Sequence, residues 1–243
     1  MRVRMTGATD IGRRRKNNQD SIFYDEVQGL GIVADGIGGR KGGEVASSMV
    51  VNGLRKAFQA ADNIKKEEIS SFLVNQIDRA NLSVVERGRR EAEVHGMGTT
   101  LNCIVFNNGK IHIAHVGDSR TYLYYKKHVY QLTLDHSVGN FLERGWLPKS
   151  AVAPGAKEGA LVRAIGLTDR CDVDLYEMKL KPGQLFITCS DGLSGMISDR
   201  QMAKLISEHI GDWHNLSKVL IDAANAAGGR DNITVVLSQV TEE

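Results

Sequence analysis

The fold class predicted for this chain is α+β, with strands and helices gathered in separate runs. Three observations lead there. Short apolar segments bounded by turn residues recur along the chain, and amphipathic stripes at helical spacing come in two pairs. No regular strand–helix–strand alternation joins them, which argues against a parallel βαβ sheet.

In order, the first clear strand is Leu30-Gly31-Ile32-Val33-Ala34, short, apolar and stopped by Asp35-Gly36. Just before it, Asn18-Gln19-Asp20 leads into Ser21-Ile22-Phe23. After Gly42-Gly43, Ala46, Val50, Leu54 and Ala57 share one helical face. Ile69, Phe72, Leu73, Ile77, Ala80 and Val84 share a second. Residues 101–106 and 111–116 flank Asn107-Asn108-Gly109-Lys110 as a hairpin, and 121–125 and 128–133 form another across Lys126-Lys127. Further strands are expected at 175–180, 185–189 and 233–240. Between the last two lie a third stripe (Met202, Leu205, Ile206, Ile210) and a fourth (Leu216, Val219, Leu220, Ala223).

The 243 residues are enough for one sizeable core, and no linker or repeat divides them, so a single domain spanning 1–243 is expected. Hydrophobic (42%) and charged (25%) fractions are those of an ordinary globular chain, and a net charge of +2 is too small to argue for nucleic acid. Glycine is in excess at 26 residues, which fits sharp turns and close backbone approaches. Cys103, Cys171 and Cys189 are far apart and sit in or near apolar stretches, so buried thiols are expected rather than a disulfide frame or zinc. The N-terminus lacks an apolar stretch of signal-peptide length and no apolar run approaches 18 residues; a cytoplasmic protein with no membrane contact is the expectation.

The strongest chemical signal is an apolar strand running straight into an aspartate, usually beside glycine. It occurs at Ile32-Val33-Ala34-Asp35-Gly36, at Ala114-His115-Val116-Gly117-Asp118 and at Ile187-Thr188-Cys189-Ser190-Asp191-Gly192. Asp231-Asn232 precedes the strand beginning at Ile233, and Asp20 precedes Ser21-Ile22-Phe23. One Asp-Gly at a strand end is ordinarily a turn. Five such aspartates, if their strand ends converge, would repel one another unless cations neutralised them. An all-oxygen donor set selects hard ions such as Mg²⁺ or Mn²⁺ over zinc or copper. Spacing alone leaves the turn and the two-metal site both standing.

Eight motifs in order close part of that gap. They are Gly12-Arg13-Arg14-Arg15-Lys16-Asn17-Asn18-Gln19-Asp20, Val33-Ala34-Asp35-Gly36-Ile37-Gly38-Gly39, Gly98-Thr99-Thr100, His115-Val116-Gly117-Asp118-Ser119-Arg120, Leu132-Thr133-Leu134-Asp135-His136-Ser137, Arg163-Ala164-Ile165-Gly166, Cys189-Ser190-Asp191-Gly192-Leu193 and Gly229-Arg230-Asp231-Asn232-Ile233-Thr234. With these, residues 7–238 resemble the metal-dependent protein phosphatases of the 2C type, in their compact bacterial branch. The resemblance implies a four-layer α-β-β-α sandwich of two antiparallel sheets flanked by helix pairs. It further implies hydrolysis of phosphoserine and phosphothreonine by a metal-bridging water, without a phosphoenzyme.

Carried over motif by motif, Asp35 looks like the carboxylate bridging two Mn²⁺ or Mg²⁺ ions, and Gly36 like the backbone-carbonyl ligand. Asp20, Asp191 and Asp231 look like the remaining ligands, and Asp118 is similar to a ligand for a third ion. Arg15 matches the phosphate-holding arginine, a role that suits a planar two-pronged guanidinium. Arg13, Arg14 and Lys16 are read as a solvated basic face. Two departures stand out. Gln19 replaces a glutamate and is expected to tune the metals' outer surroundings through a hydrogen bond to a metal-bound water. Ile37 stands where animal members carry a histidine proposed as general acid, so the leaving oxygen must be protonated by water.

His115 and His136 are expected to pack and hydrogen-bond. Thr99-Thr100 and Ser119-Arg120 are expected to support the aspartates. Residues 138–162 resemble the family's flap, with Trp146 and Leu147 read as a hydrophobic staple of it ahead of a contact with substrate protein. The glycine-rich run from Gly36 to Gly43 fails both the P-loop and the dinucleotide patterns. By resemblance the partners are phosphoserine and phosphothreonine proteins and an opposing bacterial Ser/Thr kinase, and a monomer is expected. The alternative from another class is a catalytically silent domain of this fold that binds a regulatory partner; retention of all five aspartates and Arg15 weighs against it.

Overall fold

A computed structural model describes residues 1–37, 42–61 and 68–242. The glycine-rich run from 38 to 41 lies outside the described residues. Two five-stranded antiparallel sheets stack face to face. The first orders β1 (Arg2–Asp10), β10 (Ile233–Thr241), β9 (Leu185–Cys189), β6 (Arg120–Tyr125) and β7 (His128–Gln131). The second orders β2 (Asp20–Asp25), β3 (Leu30–Asp35), β4 (Leu101–Asn107), β5 (Lys110–Val116) and β8 (Asp174–Lys179).

Alternation along each central strand explains the layering. In β3, Leu30, Ile32 and Ala34 pack outward against helices α1 (Gly43–Ala60) and α2 (Ile69–Arg90), whereas Val33 faces the other sheet. In β9, Leu185, Ile187 and Cys189 meet α5 (Asp199–His209) and α6 (Trp213–Ala226), and Phe186 turns inward. Strands buried on both faces show no polar alternation, which is why they stand out as continuous apolar runs in the sequence. The four-layer arrangement expected from the resemblance is therefore present. Both tight hairpins use two-residue loops with positive φ, at Asn108 and Gly109 (47° and 74°) and at Lys126 and Lys127 (50° and 66°). That backbone suits the right-handed twist of the flanking strands.

Several local expectations need correction. β1 was not foreseen, because only Met5 of Arg2–Asp10 is fully buried and two arginines interrupt the apolar pattern. It is an edge strand paired with β10 through nine residue pairs. Arg4 covers it, stacking 4.4 Å over the Trp213 ring and donating to Gln239 Oε1. In α1 the buried stripe ends on Phe58 rather than Ala57, and in α6 Ile221 and Ala224 are buried while Val219 and Ala223 lie at the margin. β7 ends at Gln131, short of Thr133. The stretch 138–162 holds a short helix, α3 (Val138–Glu143), and a 3₁₀ turn at Lys149–Ala151. Asp191 opens another short helix, α4 (Asp191–Ser194). Cys103 and Cys189 are buried free thiols and Cys171 is half-buried. No described helix is long and apolar enough to cross a membrane.

Candidate active site

Strand pairing brings the aspartates to one end of the sandwich. Asp20 and Asp35 are direct Cα partners at the end of the β2–β3 pair. Cys189 pairs with Val235, so Asp191 just past β9 and Asp231 just before β10 leave the sheet side by side. Leu101 pairs with Val116, which sends Gly117-Asp118 toward the same end. Arg15, Asp35, Asp118, Asp191 and Asp231 line one cavity of about 620 Å³, with Ile37 and Thr100 beside them. Asp20 is buried at 9% exposure.

Close backbone contacts hold these residues in place. A Cβ at Gly36 would fall 2.3 Å from the Gly43 carbonyl oxygen, so glycine is required there by the α1 N-terminus itself. A Cβ at Gly192 would fall 1.9 Å from the Asn232 oxygen, which locks the Asp191 turn against the Asp231 turn. Hydroxyls complete the frame. The Asp35 N–H donates to Thr100 Oγ1 at 2.9 Å, Thr99 Oγ1 donates to the Asp35 carbonyl at 2.8 Å, and Thr100 Oγ1 meets Ser119 Oγ at 2.6 Å. Asp20 Oδ2 accepts from Ser190 Oγ at 2.8 Å and from Thr234 Oγ1 at 2.6 Å. Thr99-Thr100 and Ser119 thus support the aspartates as expected, whereas the Ser190–Thr234 clamp and Asn232 were missed. Asn232 Nδ2 donates to the Ile11 and Asn17 carbonyls and its Oδ1 accepts from the Gln19 N–H, tying the arginine-rich loop to β10. Polar residues at the ends of core strands, Ser190 just after β9, Asn232 just before β10 and Thr234 at its start, were the available signal.

The carboxylates make one another costly to ionise. Burial pushes Asp20 up to about 6, against the opposing pull of the Thr234 and Ser190 hydrogen bonds. Burial, then the charges of Asp20, Asp191, Asp118 and Asp231, raise Asp35 well above the carboxylate range. Burial and Asp231 raise Asp191, and burial with Asp191 and Asp135 pushes Asp118 to about 7. A cluster of this kind invites cations.

Arg15 reaches across to Asp231, with Nη2 2.5 Å from Oδ2. Arg13, Arg14 and Lys16 are exposed. The Gln19 amide donates through Nε2 to Glu44 Oε2 at 3.0 Å, turning its nitrogen toward α1. Ile37 presents an apolar wall and its N–H donates to the Gly98 carbonyl. Arg120 grips Asp135 through two hydrogen bonds of 2.8 and 2.7 Å. Trp146 packs edge-on against Phe141 at 5.4 Å and stays 58% exposed. Lys157, Gly159, Ala160 and Leu161 form another wall, and Lys157 was not singled out in the sequence because its surroundings there are irregular.

The donor set fits hard divalent ions: every candidate is an oxygen. Asp20 Oδ1 and Asp191 Oδ1 are buried with no hydrogen-bond partner among the described residues. As they stand, no three His, Cys, Asp or Glu side chains among the described residues enclose a single ion.

Characterised proteins resemble the chain over nearly its whole length. The family model for protein phosphatase 2C matches residues 9–227. The serine/threonine phosphatase stp of Listeria welshimeri is 35% identical over 237 residues, covering 94% of this chain and 92% of that protein. The crystal structure of serine/threonine phosphatase Stp1 from Staphylococcus aureus superposes with a TM-score of 0.88 at 29% identity, covering 100% of this chain and 96% of that one. The catalytic domain of serine/threonine phosphatase PstP, solved in complex with two manganese ions, gives 0.84 at 29% identity over 99% of both chains. The chain is thus a protein serine/threonine phosphatase and belongs to the protein phosphatase 2C family.

Proposed function

We propose that Asp20, Asp35, Asp191, Asp231 and the Gly36 carbonyl hold two Mn²⁺ or Mg²⁺ ions, with Asp118 and Asp191 offering a third, weaker position. The observation that carries this reading is the convergence of Asp35, Asp118, Asp191 and Asp231 on one cavity, with Asp20 paired to Asp35 beside it and the buried Oδ1 atoms of Asp20 and Asp191 left unpartnered among the described residues. Ions held there supply an activated water and neutralise phosphoryl charge.

The chain's own residues supply the rest. Arg15 exchanges its bond to Asp231 for the phosphoryl oxygens and orients phosphorus in line with the incoming water. Ile37, Leu161 and Leu167 line the cavity as apolar wall. The ester P–O bond breaks as the water oxygen bonds to phosphorus, and the serine or threonine oxygen leaves with a proton. Ile37 has no proton to give, so solvent supplies it. Thr100 is the only hydroxyl residue lining the cavity among the described residues, and its oxygen is already engaged by Asp35 and Ser119. That favours direct hydrolysis over a phosphoenzyme formed on a hydroxyl.

In this reading residues 1–243 act as one catalytic unit, with 138–162 as a flap beside the cavity. The protein works as a cytoplasmic monomer, reversing phosphorylation by a bacterial Ser/Thr kinase. The test is hydrolysis of p-nitrophenyl phosphate with manganese, expected to disappear with a chelator and with Asp35→Ala. A normally folded protein without turnover under any divalent ion would instead support a silent, partner-binding domain.

A further inference from the structure

We propose that His136 is a positioning residue that aims Asp118 into the cavity and ties its turn to the flap. Its backbone and its ring both hold Gly117, the residue before Asp118. The His136 N–H donates to the Gly117 carbonyl at 2.8 Å, and the Gly117 N–H donates to His136 Nδ1 at 3.1 Å. Gly117 needs such anchoring: it adopts φ +107°, and a Cβ there would meet Thr100 Cγ2 at 2.6 Å.

An imidazole nitrogen can accept from an N–H only when it carries no proton, so the tautomer matters. The far side of the ring sets it. His136 Nε2 lies 3.2 Å from Asp174 Oδ2, and Asp174 is held in turn by Arg163 Nη1 at 2.9 Å and the Tyr176 hydroxyl at 3.3 Å. The Gly117 bond requires Nδ1 to be the acceptor, and a carboxylate this close to Nε2, in charge contact though not in hydrogen-bond alignment, favours the proton on Nε2. Burial lowers the His136 pKa, which keeps the ring neutral.

The same residue reaches the flap. Its carbonyl accepts from the Val162 N–H at 2.8 Å, and its ring meets Phe141 edge-on at 6.0 Å. Arg163 lies 5.3 Å over Phe141, so the Asp174 anchor and the flap share one cation. His136 therefore connects two walls of the cavity without lining it.

The inference rests on the role given to Asp118 above, and a double-mutant cycle separates the two. Asp174→Asn removes the group that fixes the tautomer while keeping its size. With p-nitrophenyl phosphate and manganese it is expected to lower kcat about fivefold with KM changed less than about twofold, and to cost under about twofold more in an Asp118→Asn background. Equal losses in both backgrounds, or an unchanged kcat for Asp174→Asn, overturn the proposal. An Asp118→Asn enzyme with full turnover removes the role of Asp118 itself, and with it the route by which His136 acts.

A second readout needs neither metal nor turnover. In chelated protein, the Gly117 amide is expected to exchange with solvent about tenfold faster in Asp174→Asn. His136→Asn, which keeps an acceptor near Nδ1, is expected to retain the protection. Unchanged Gly117 exchange in Asp174→Asn also overturns the proposal.

Discussion

The two walls of the cavity follow opposite rules. On one wall, Asp35, Asp118, Asp191 and Asp231 stand at or just beyond the ends of core strands, with Asp20 buried beside Asp35, and hydroxyl and backbone bonds brace them. On the other wall, Lys157, Gly159 and Ala160 belong to an exposed segment held by a thin seam. Val138 N–H donates to the Ala160 carbonyl, Gly139 N–H to the Glu158 carbonyl and Val162 N–H to the His136 carbonyl. The contrast has a physical reason. Carboxylates that repel one another stay converged only where strand pairing and packing outweigh the repulsion. Residues that meet a variable protein substrate gain from a segment that can adjust.

The largest test of the rigid wall is Asp35→Asn. Turnover with manganese is expected to fall about a thousandfold, while the chelated protein melts roughly 3 °C higher because a source of repulsion is gone. Activity above a tenth of wild type would break the comparison. Next, Arg15→Ala is expected to raise KM for phosphosubstrates about tenfold, the loss of one charge-assisted grip. An unchanged KM would remove Arg15 from phosphate binding.

The third test is the pH dependence of the chelated protein. Asp20 and Asp118 titrate near 6 and 7 when folded, above the ordinary 3.8. Folding therefore binds their protons, and this stabilisation is complete below the ordinary carboxylate range and is lost as pH rises through 6 to 7. Melting temperature without divalent ions should drop by roughly 5 °C between pH 5 and pH 8, and manganese should restore it at pH 8. A flat or rising profile would contradict the raised values.

The flap wall carries the smallest expected effect. Lys157→Glu should raise KM for phosphopeptides about threefold, since an exposed charge is well screened. A loss as large as that of Arg15→Ala would place Lys157 with the rigid wall.

Much of this was legible before any coordinates. Apolar runs ending on aspartate located β3, β5 and β9, and the stripe ending on Val84 placed α2. What escaped notice shares one property. β1 is polar on its own and becomes a strand only by pairing with β10 at the far end of the chain. Thr234 clamps Asp20 from 214 positions away. His136 was expected to pack and hydrogen-bond, but its partner Gly117, 19 positions away, was not named. None of these contacts leaves a local periodicity to read.

Side-chain pattern alone therefore located the central strands, the four long helices and the residue types at the strand ends, since burial and backbone preference act over a few neighbours. The tertiary structure decided which ends meet, which carboxylates are pushed toward neutrality and which hydroxyls brace them. Electrostatic and hydrogen-bond energies depend on distance in space, and that distance is set by sheet pairing between segments remote in the chain.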